Sequence, residues 1–176
     1  MSRLACQRIY SIVIVLFGLC VLPGVVRTQP KDAAVAHLRP QHLAVVKGWL
    51  ARKPSLRLAT VADCSNKEGL AITRKERGKG YHPYYAVGDF NGDRREDFAI
   101  ALVNKSKKKN QFAVAIFNGR VSKDSVPAFF EEGWDLSDGG LFDGGGGVMA
   151  GPFESDNCVI LRRRGKRYVA VDCLEG

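Results

Sequence analysis

The segment GDFNGDRREDF, residues 88–98, constrains the fold of this 176-residue chain more than any other feature. It places four oxygen-bearing side chains at close intervals: Asp89, Asn91, Asp93 and Asp97. A continuous apolar run at residues 98–103 follows directly, as a buried strand gives, and YYAV at residues 84–87 precedes it as another strand. The sequence therefore predicts a tight acidic loop whose two ends are held by strands.

The spacing of these side chains indicates a site for a hard cation such as Ca²⁺. Four predicted ligands are side chains at loop positions 1, 3, 5 and 9: Asp89, Asn91, Asp93 and Asp97. At position 7, Arg95 would offer its backbone carbonyl. Calcium takes about 6–8 oxygen ligands, and one tight loop with this spacing can converge several of them. Carboxylates this close repel one another unless a cation neutralises them.

The loop also resembles a known calcium motif. GDFNGDRREDFAIAL, residues 88–102, is similar to the calcium loop of FG-GAP and VCBS repeats, as found in integrin α-chain propellers, and more distantly to EF-hand and dockerin loops. In those families the matching positions bind calcium, so the resemblance implies the same four side chains. HPYYAVGDFNGD, FNG and GPFESD also resemble segments of small, uncharacterised secreted bacterial proteins with a single such loop, which implies no activity.

The loop departs from EF-hand loops at two positions. Arg94 occupies position 6, where such loops have glycine, and Ile100 occupies position 12, where they have a bidentate glutamate. Both changes predict weaker calcium binding. The alternative is an acidic loop held by Arg94, Arg95 and backbone amides without metal. Because the motif occurs once, a propeller built from such repeats is not predicted.

The N-terminus has the pattern of a secretory signal peptide. Arg3 and Arg8 precede an uncharged run at residues 9–22, which Pro23 ends. The run is shorter than the about 20 apolar residues that span a bilayer. We expect a secreted or periplasmic protein with no stable membrane span after processing; the alternative is a retained N-terminal membrane anchor. The predicted organisation has three parts: signal peptide 1–28, leader 29–36 and a single domain 37–176.

Basic residues exceed acidic ones, 27 against 18, and they occur in clusters at residues 74–79, 105–109 and 162–167. Apolar residues make up 45% of the chain, which is ordinary globular composition and argues against disorder. Export and the absence of a recognition motif argue against a nucleic-acid partner. The expected partner is an envelope or extracellular protein, or an anionic polymer.

Hydrophobic spacing predicts an α+β fold, with an N-terminal helix or helices packed on an antiparallel β-sheet and the single calcium loop between two strands. Residues 38–52 show helical spacing, residues 56–64 fit either a short strand or a second helix, and residues 75–80 are expected to be a basic loop. Further strands are expected at residues 111–117, 126–130, 157–161 and 167–172. Six glycines within residues 137–147 predict a long flexible loop.

The cysteines allow one register-based prediction. If Gly165-Lys166 forms a two-residue hairpin turn, Cys158 stands opposite Cys173 across the two strands. An exported chain permits disulfides, so a Cys158–Cys173 bridge is predicted, with Cys64 buried and free. A bond from Cys64 to either partner remains the alternative.

No sequence signature of catalysis is visible. Structural or surface roles are expected for the three histidines: His37, His42 and His82. The sequence therefore favours an exported calcium-binding domain that acts as a binding or structural module. One alternative is an inhibitor of an envelope enzyme that uses an exposed loop such as residues 137–147. The other is a secreted hydrolase, whose candidate acids are Glu131, Glu132, Asp135 and Asp138.

Overall fold

The computed structural model describes residues 35–175, so the predicted signal peptide and the leader up to residue 34 lie outside it. Within these residues there are two α-helices, α1 (Pro40–Leu50) and α2 (Lys67–Arg77). The nine described strands are β1 (Leu56–Leu58), β2 (Tyr85–Gly88), β3 (Asp97–Asn104), β4 (Phe112–Phe117), β5 (Phe129–Trp134), β6 (Gly139–Asp143), β7 (Gly147–Pro152), β8 (Val159–Arg164) and β9 (Arg167–Asp172). The predicted α+β class is confirmed. Neither described helix is long and apolar enough to cross a membrane.

The first sheet is built around β3. This strand pairs with β4 on one side, and β4 pairs with β5. On its other side β3 pairs with both β1 and β2, because β2 covers the stretch from Asp97 to Ile100 and β1 covers the stretch from Leu102 to Asn104. Every residue of β3 and β4 is buried, as their continuous apolar sequences predict. The acidic loop therefore leads into the most protected strand of the domain.

The second sheet is a meander of four antiparallel strands, β6 to β9, in chain order. Its last hairpin has the predicted register, with Arg164 opposite Arg167 across the turn. Cys158 and Cys173 form a disulfide with a Cα–Cα distance of 5.4 Å, which confirms the prediction. Cys64 is buried and free, also as predicted.

The strands form two sheets, whereas the sequence predicted one. The difference arises at residues 137–147, which were expected to be a flexible loop but contain β6 and the β6–β7 turn. Glycine serves close approach here: a Cβ on Gly140 would lie 2.7 Å from the Pro83 carbonyl oxygen. Gly145 and Gly146 both have positive φ, at 65° and 90°, as a two-residue hairpin turn requires. A glycine-rich sequence was therefore misread as flexibility.

Helix α2 was not predicted, and its last turn includes residues assigned to the basic loop. The helix begins where the Asn66 side chain accepts a hydrogen bond from the Gly69 amide, at 2.8 Å. It ends at Gly78, whose φ of 95° stops the helix. Residues 56–64 contain β1 and a short 3₁₀ turn, Val61–Asp63, rather than a second helix. Strand β5 likewise begins three residues later than the predicted strand at 126–130.

Two hydrophobic clusters cover opposite faces of the first sheet. On one face, Trp49 of α1 contacts the rings of Phe117 and Phe130 edge-on, at centroid distances of 6.1 and 5.1 Å. Val45 and Val46 of α1 belong to the same cluster. The second cluster joins alternate residues of β3 and β4 to residues of the second sheet: Ala99, Ala101, Val114, Ile116, Leu141, Val148 and Leu161. The first sheet therefore lies between α1 and the second sheet.

Candidate functional site

The acidic loop is the turn of the β2–β3 hairpin. Gly88 at the end of β2 pairs directly with Asp97 at the start of β3, so residues 89–96 form the connection. Phe90 is completely buried within this connection and belongs to the core cluster between the two sheets. The prediction that strands hold both ends of the loop is therefore correct, and a buried aromatic side chain anchors it in addition.

The first three predicted ligands accept hydrogen bonds from the loop's own backbone. Asp89 Oδ1 accepts from the amides of Gly92 and Asp93 at 2.8 and 3.1 Å, and its Oδ2 accepts from Arg94 at 2.8 Å. Asn91 Oδ1 accepts from the Asp93 amide at 2.9 Å. Asp93 Oδ1 accepts from the Arg95 amide at 2.9 Å. These bonds curl the backbone around one side of the loop and leave Asp93 Oδ2 without a described hydrogen bond.

Asp97 differs from the other three because its side chain is completely buried. Its Oδ2 accepts from the Phe90 amide at 2.9 Å, and its Oδ1 accepts from the Gly119 amide at 2.6 Å and from Asn91 Nδ2 at 3.3 Å. Burial raises the pKa of the Asp97 carboxyl; the two backbone amide bonds lower it, and the nearby Asp93 and Asp89 raise it further. Asp97 thus links the loop to the segment just after β4 through Gly119. It is also a buried acid close to two other acids, Asp93 and Asp89.

Two loop residues adopt the left-handed conformation. Gly92 has a φ of 77°, and Arg94, at the position where EF-hand loops have glycine, has a φ of 63°. A side chain in this region costs roughly 1–2 kcal/mol. The Arg94 amide donates to Asp89, so the loop's hydrogen bonding holds the strained residue in place. The departure noted in the sequence does not prevent the turn from forming.

The donor set suits a hard cation, but the described residues do not already enclose one. Among residues 35–175, no three His, Cys, Asp or Glu side chains converge as a metal site would require. The four side chains supply carboxylate and amide oxygens, which are the ligands of calcium. Arg94 and Arg95 form no ion pair with a loop acid within the same residues. Of the contacts that the metal-free alternative requires, the structure therefore shows only the hydrogen bonds from backbone amides.

A cleft adjoins the loop on the side of α1. It has a volume of about 460 Å³ and is lined by the first turn of α1, by the end of the loop and by the segment after β4. His42 forms its inner wall: the ring is 2% exposed and stacks on Phe98 at 4.0 Å. Its Nδ1 lies 2.7 Å from the Tyr85 hydroxyl. Nothing in the sequence predicts this cleft, because its walls are far apart in the chain.

The remaining histidines stack on each other beside β2. The His37 and His82 rings lie 3.7 Å apart, and Tyr85 contacts His37 edge-on at 5.9 Å. Burial, the neighbouring His82 and Arg74 lower the pKa of His37 to about 4. Burial and then Arg74 also lower the pKa of His82. All three histidines therefore have packing contacts in the structure.

Two of the four candidate acids of a hydrolase, Glu132 and Asp135, already have hydrogen-bond partners. Glu131 and Glu132 are exposed on β5, and Glu132 is bound by Asn104 and Lys107 at 2.8 and 3.2 Å. Asp135 accepts two hydrogen bonds from Ser137. Glu131 and Asp138 have no described hydrogen bond or ion pair in residues 35–175.

Sequence reasoning missed Gly119 as a partner of the loop. Its amide binds Asp97, and its φ of 59° is the left-handed conformation that favours glycine. The side chain of Arg95 lies over it: a Cβ on Gly119 would be 3.7 Å from Arg95 Cδ. The signal was the Asn118-Gly119 pair, which marks a turn immediately after an apolar strand.

Comparisons of the chain with protein-family models, with curated proteins and with solved structures find no match. The likeness of the loop to FG-GAP and VCBS repeats therefore remains an interpretation of the motif.

Proposed function

We propose that this chain is a small exported calcium-binding domain that acts as a structural or binding module. The calcium ligands would be the side chains of Asp89, Asn91, Asp93 and Asp97 and the backbone carbonyl of Arg95. Calcium would close the β2–β3 connection and fix the loop against the end of β4. No catalytic step is part of this proposal.

The buried Asp97 carboxylate is the observation that carries the proposal. A carboxylate removed from water is costly unless it is paired, and no described arginine or lysine pairs with it. Two backbone amides and the side-chain amide of Asn91 offset only part of this cost, and Asp93 and Asp89 add repulsion. A divalent cation would neutralise all three acids together. Binding would require the loop side chains to close toward Asp97.

Thermal unfolding after removal of calcium by a chelator tests the proposal. A ligand that binds only the folded state stabilises by about 1.4 kcal/mol at 10 Kd and about 2.7 kcal/mol at 100 Kd. The melting temperature of the wild type should rise by several degrees with millimolar CaCl₂. Asp93→Asn should lose this rise, because it removes one of the proposed carboxylate ligands. Asp93 is exposed, so the substitution should leave the core intact.

Asp124→Asn is the matched control, since Asp124 is exposed and has no described side-chain hydrogen bond within residues 35–175. It should respond to calcium as the wild type does. MgCl₂ at the same ionic strength should have a smaller effect, because magnesium demands a stricter octahedral geometry. A wild-type melting temperature that calcium leaves unchanged would refute the calcium site. An equal response in Asp93→Asn would refute the ligand assignment.

Export rests on the N-terminal sequence, which the described residues do not include. The intact mass of the chain recovered from a secreting bacterial host measures it. Cleavage near residues 24–28 should leave a product that begins near the predicted leader. A recovered chain that still contains residues 9–22 would support the membrane-anchor alternative instead.

The inhibitor alternative loses its proposed surface. Its inserting loop was expected at residues 137–147, but Gly139 to Phe142 are buried within β6, and the exposed residues of the segment are Asp138, Asp143, Gly145 and Gly146. An anionic partner remains compatible with the three basic clusters, which lie on different elements: α2 and its C-terminal end, the β3–β4 turn, and the β8–β9 hairpin.

A further inference from the structure

We propose that the cleft between α1, the acidic loop and the segment after β4 is a binding site for a small polar ligand that carries an oxyanion, a phosphate or a carboxylate. The cleft is lined by two arginines, Arg95 and Arg120, and by one acid, Glu96. The cleft is distinct from the proposed calcium site. The backbone carbonyl of Arg95 would be a calcium ligand, whereas its side chain would serve the cleft. The ligand site does not require calcium.

The charges of the cleft carry this inference. Glu96 forms an ion pair with Arg39, which lies just before α1, so the only acid lining the cleft already has a partner. Arg95 and Arg120 form no ion pair with any described residue between 35 and 175. Two arginines from different parts of the chain thus line one cavity, and neither forms an ion pair within residues 35–175.

The geometry of arginine defines the ligand class. A guanidinium presents N–H donors in a planar fork that matches two oxygens of a phosphate or carboxylate. The amide of Gln41 lines the same cavity and can donate a further hydrogen bond. Val121 provides a small apolar contact at the edge. A cavity of about 460 Å³ admits a small metabolite-sized anion rather than a folded partner.

The inner wall is rigid, which favours binding without rearrangement. His42 is held by the Tyr85 hydroxyl at 2.7 Å and by stacking on Phe98. Burial lowers the pKa of His42, opposed by Glu96, so the imidazole is neutral near pH 7. The positive charge at the cleft therefore belongs to arginines alone. The stem of Arg95 packs over Gly119, which also lines the cleft.

Calorimetric titration with inorganic phosphate, and separately with citrate, tests the site. The titrations are done in a chelator and at constant ionic strength, so that neither calcium nor bulk screening affects the result. The wild type should bind at least one of the two probes saturably with a stoichiometry of one. Arg95→Gln and Arg120→Gln should each weaken binding about tenfold, the lower range for a charge-assisted hydrogen bond. Both arginines are exposed, so both variants should fold.

Two further variants make the test specific. Arg52→Gln is the matched control, because Arg52 is exposed beyond the opposite end of α1 and lies outside the cleft; it should bind as the wild type does. Glu96→Gln should tighten binding about threefold, since it removes the only acid of the cleft and releases Arg39. A preference for phosphate or for citrate identifies which oxyanion the site takes.

Three results would overturn the proposal. One is the absence of saturable binding of both probes to the wild type. Another is equal weakening by Arg52→Gln and Arg95→Gln, which would indicate non-specific attraction to a basic surface. The third is unchanged binding in both cleft variants. Because every titration is calcium-free, a failed calcium site would leave these results unaffected, and a failed anion site would leave the calcium response in place.

Discussion

The two sheets of this domain hold their strands by different means. In the first sheet, β3 and β4 are buried along their whole length, between α1 on one face and the second sheet on the other. In the last hairpin of the second sheet, only Ile160, Leu161 and Tyr168 are buried. A disulfide joins that hairpin beyond its last strand pair. Burial thus secures the central hairpin, whereas a covalent bond secures the outer one.

The two regions also differ in charge, and the difference shows where chemistry can be positioned. The β2–β3 connection of the first sheet is acidic and is tied to the core through Phe90 and Asp97. The β8–β9 turn of the second sheet is basic and exposed, from Arg163 to Arg167. Ligating side chains need a rigid support to keep their geometry. The sheet secured by burial offers that support, which is consistent with a site at the end of β3.

Removing a core side chain of the first sheet should have the largest effect on stability. Phe98 is 1% exposed and stacks on His42 and Phe117 at 4.0 and 4.8 Å. Phe98→Ala should lower the free energy of unfolding by about 3–5 kcal/mol, the range for a buried phenylalanine. Chemical denaturation measures it. Val126→Ala, at a residue 66% exposed, should change stability by less than about 0.5 kcal/mol.

An effect of Phe98→Ala below about 1 kcal/mol would contradict the picture of a sheet secured by burial. Hydrogen exchange adds a local test. Amides of β3 and β4 should be the slowest to exchange in the wild type, because they open only with global unfolding. Slower exchange in β8 and β9 than in β3 and β4 would reverse the comparison.

Breaking the disulfide should have the next largest effect and should act mainly on the outer hairpin. Cys158 and Cys173 are 15 residues apart, and a bridge closing such a loop contributes about 2–3 kcal/mol. The double variant Cys158→Ser/Cys173→Ser should lose about that much and exchange faster in β8 and β9 than in β3. Cys64→Ser probes the buried free thiol and should leave that exchange pattern unchanged.

Thiol labelling of the unfolded wild type checks the pairing itself. Within residues 35–175, one labelled thiol is expected, at Cys64. Labelling at Cys158 or Cys173, or a linked peptide containing Cys64, would contradict the β8–β9 register on which the bridge depends. A global loss of protection in the double variant, including β3, would show that the two sheets do not differ as described.

The same comparison explains what the sequence could predict. Uninterrupted apolar residues identified β3 and β4, because a strand buried on both faces leaves no polar position. The acidic loop between two strands and the disulfide were predicted from spacing and register, which are local. Residues 139–147 were misassigned because glycine was taken as a sign of flexibility. In fact Gly139 and Gly140 permit the close approach of neighbouring backbones, and nothing local in the sequence reveals that contact.

The candidate sites show the same division. Asp89, Asn91 and Asp93 were found from one segment, but the partner of Asp97 is the Gly119 amide, 22 residues away. The cleft was not predicted at all, since its arginines come from two connections and its histidine from α1. Pairing of β3 with β4 brings these segments together. Sites built within a loop can be predicted from the sequence, whereas sites built across strands require the fold.

Acid should destabilise the first sheet more than the second. The three histidines pack beside the first sheet, whereas β6 to β9 contain none. The pKa of His37 falls from 6.5 to about 4 on folding, through burial, His82 and Arg74. Between pH 6.5 and 4 the unfolded chain therefore binds a proton that the folded chain does not, and stability is lost as the pH falls. After allowance for solvent screening, we expect a loss on the order of 1–2 kcal/mol.

The double variant His37→Gln/His82→Gln isolates this effect. It removes the stacked pair but leaves His42 and Asp63, whose lowered pKa values also cost stability at acid pH, and Asp97, whose raised pKa acts in the opposite direction. Chemical denaturation at pH 7 and pH 4.5 should show a smaller decline in the variant than in the wild type. Equal declines would mean that the His37–His82 pair does not contribute to the loss of stability at acid pH.

The smallest predicted effect lies at the edge of the first sheet. There β5, which is partly exposed, pairs with the buried strand β4. Glu132 Oε2 accepts from Asn104 at 2.8 Å and faces Lys107 Nζ at 3.2 Å, and the Asn104 bond and then Lys107 lower the pKa of its carboxyl. Glu132→Gln keeps an acceptor for Asn104 but loses the ion pair. Because the pair is partly exposed, the loss should be about 0.5 kcal/mol at low salt and should disappear near 1 M NaCl. Glu131→Gln is the control, at an exposed neighbouring residue with no ion pair among residues 35–175, and it should leave stability unchanged. A salt-independent loss above about 2 kcal/mol in Glu132→Gln would contradict the prediction. It would show that this edge depends on polar contacts as much as the centre of the sheet depends on burial.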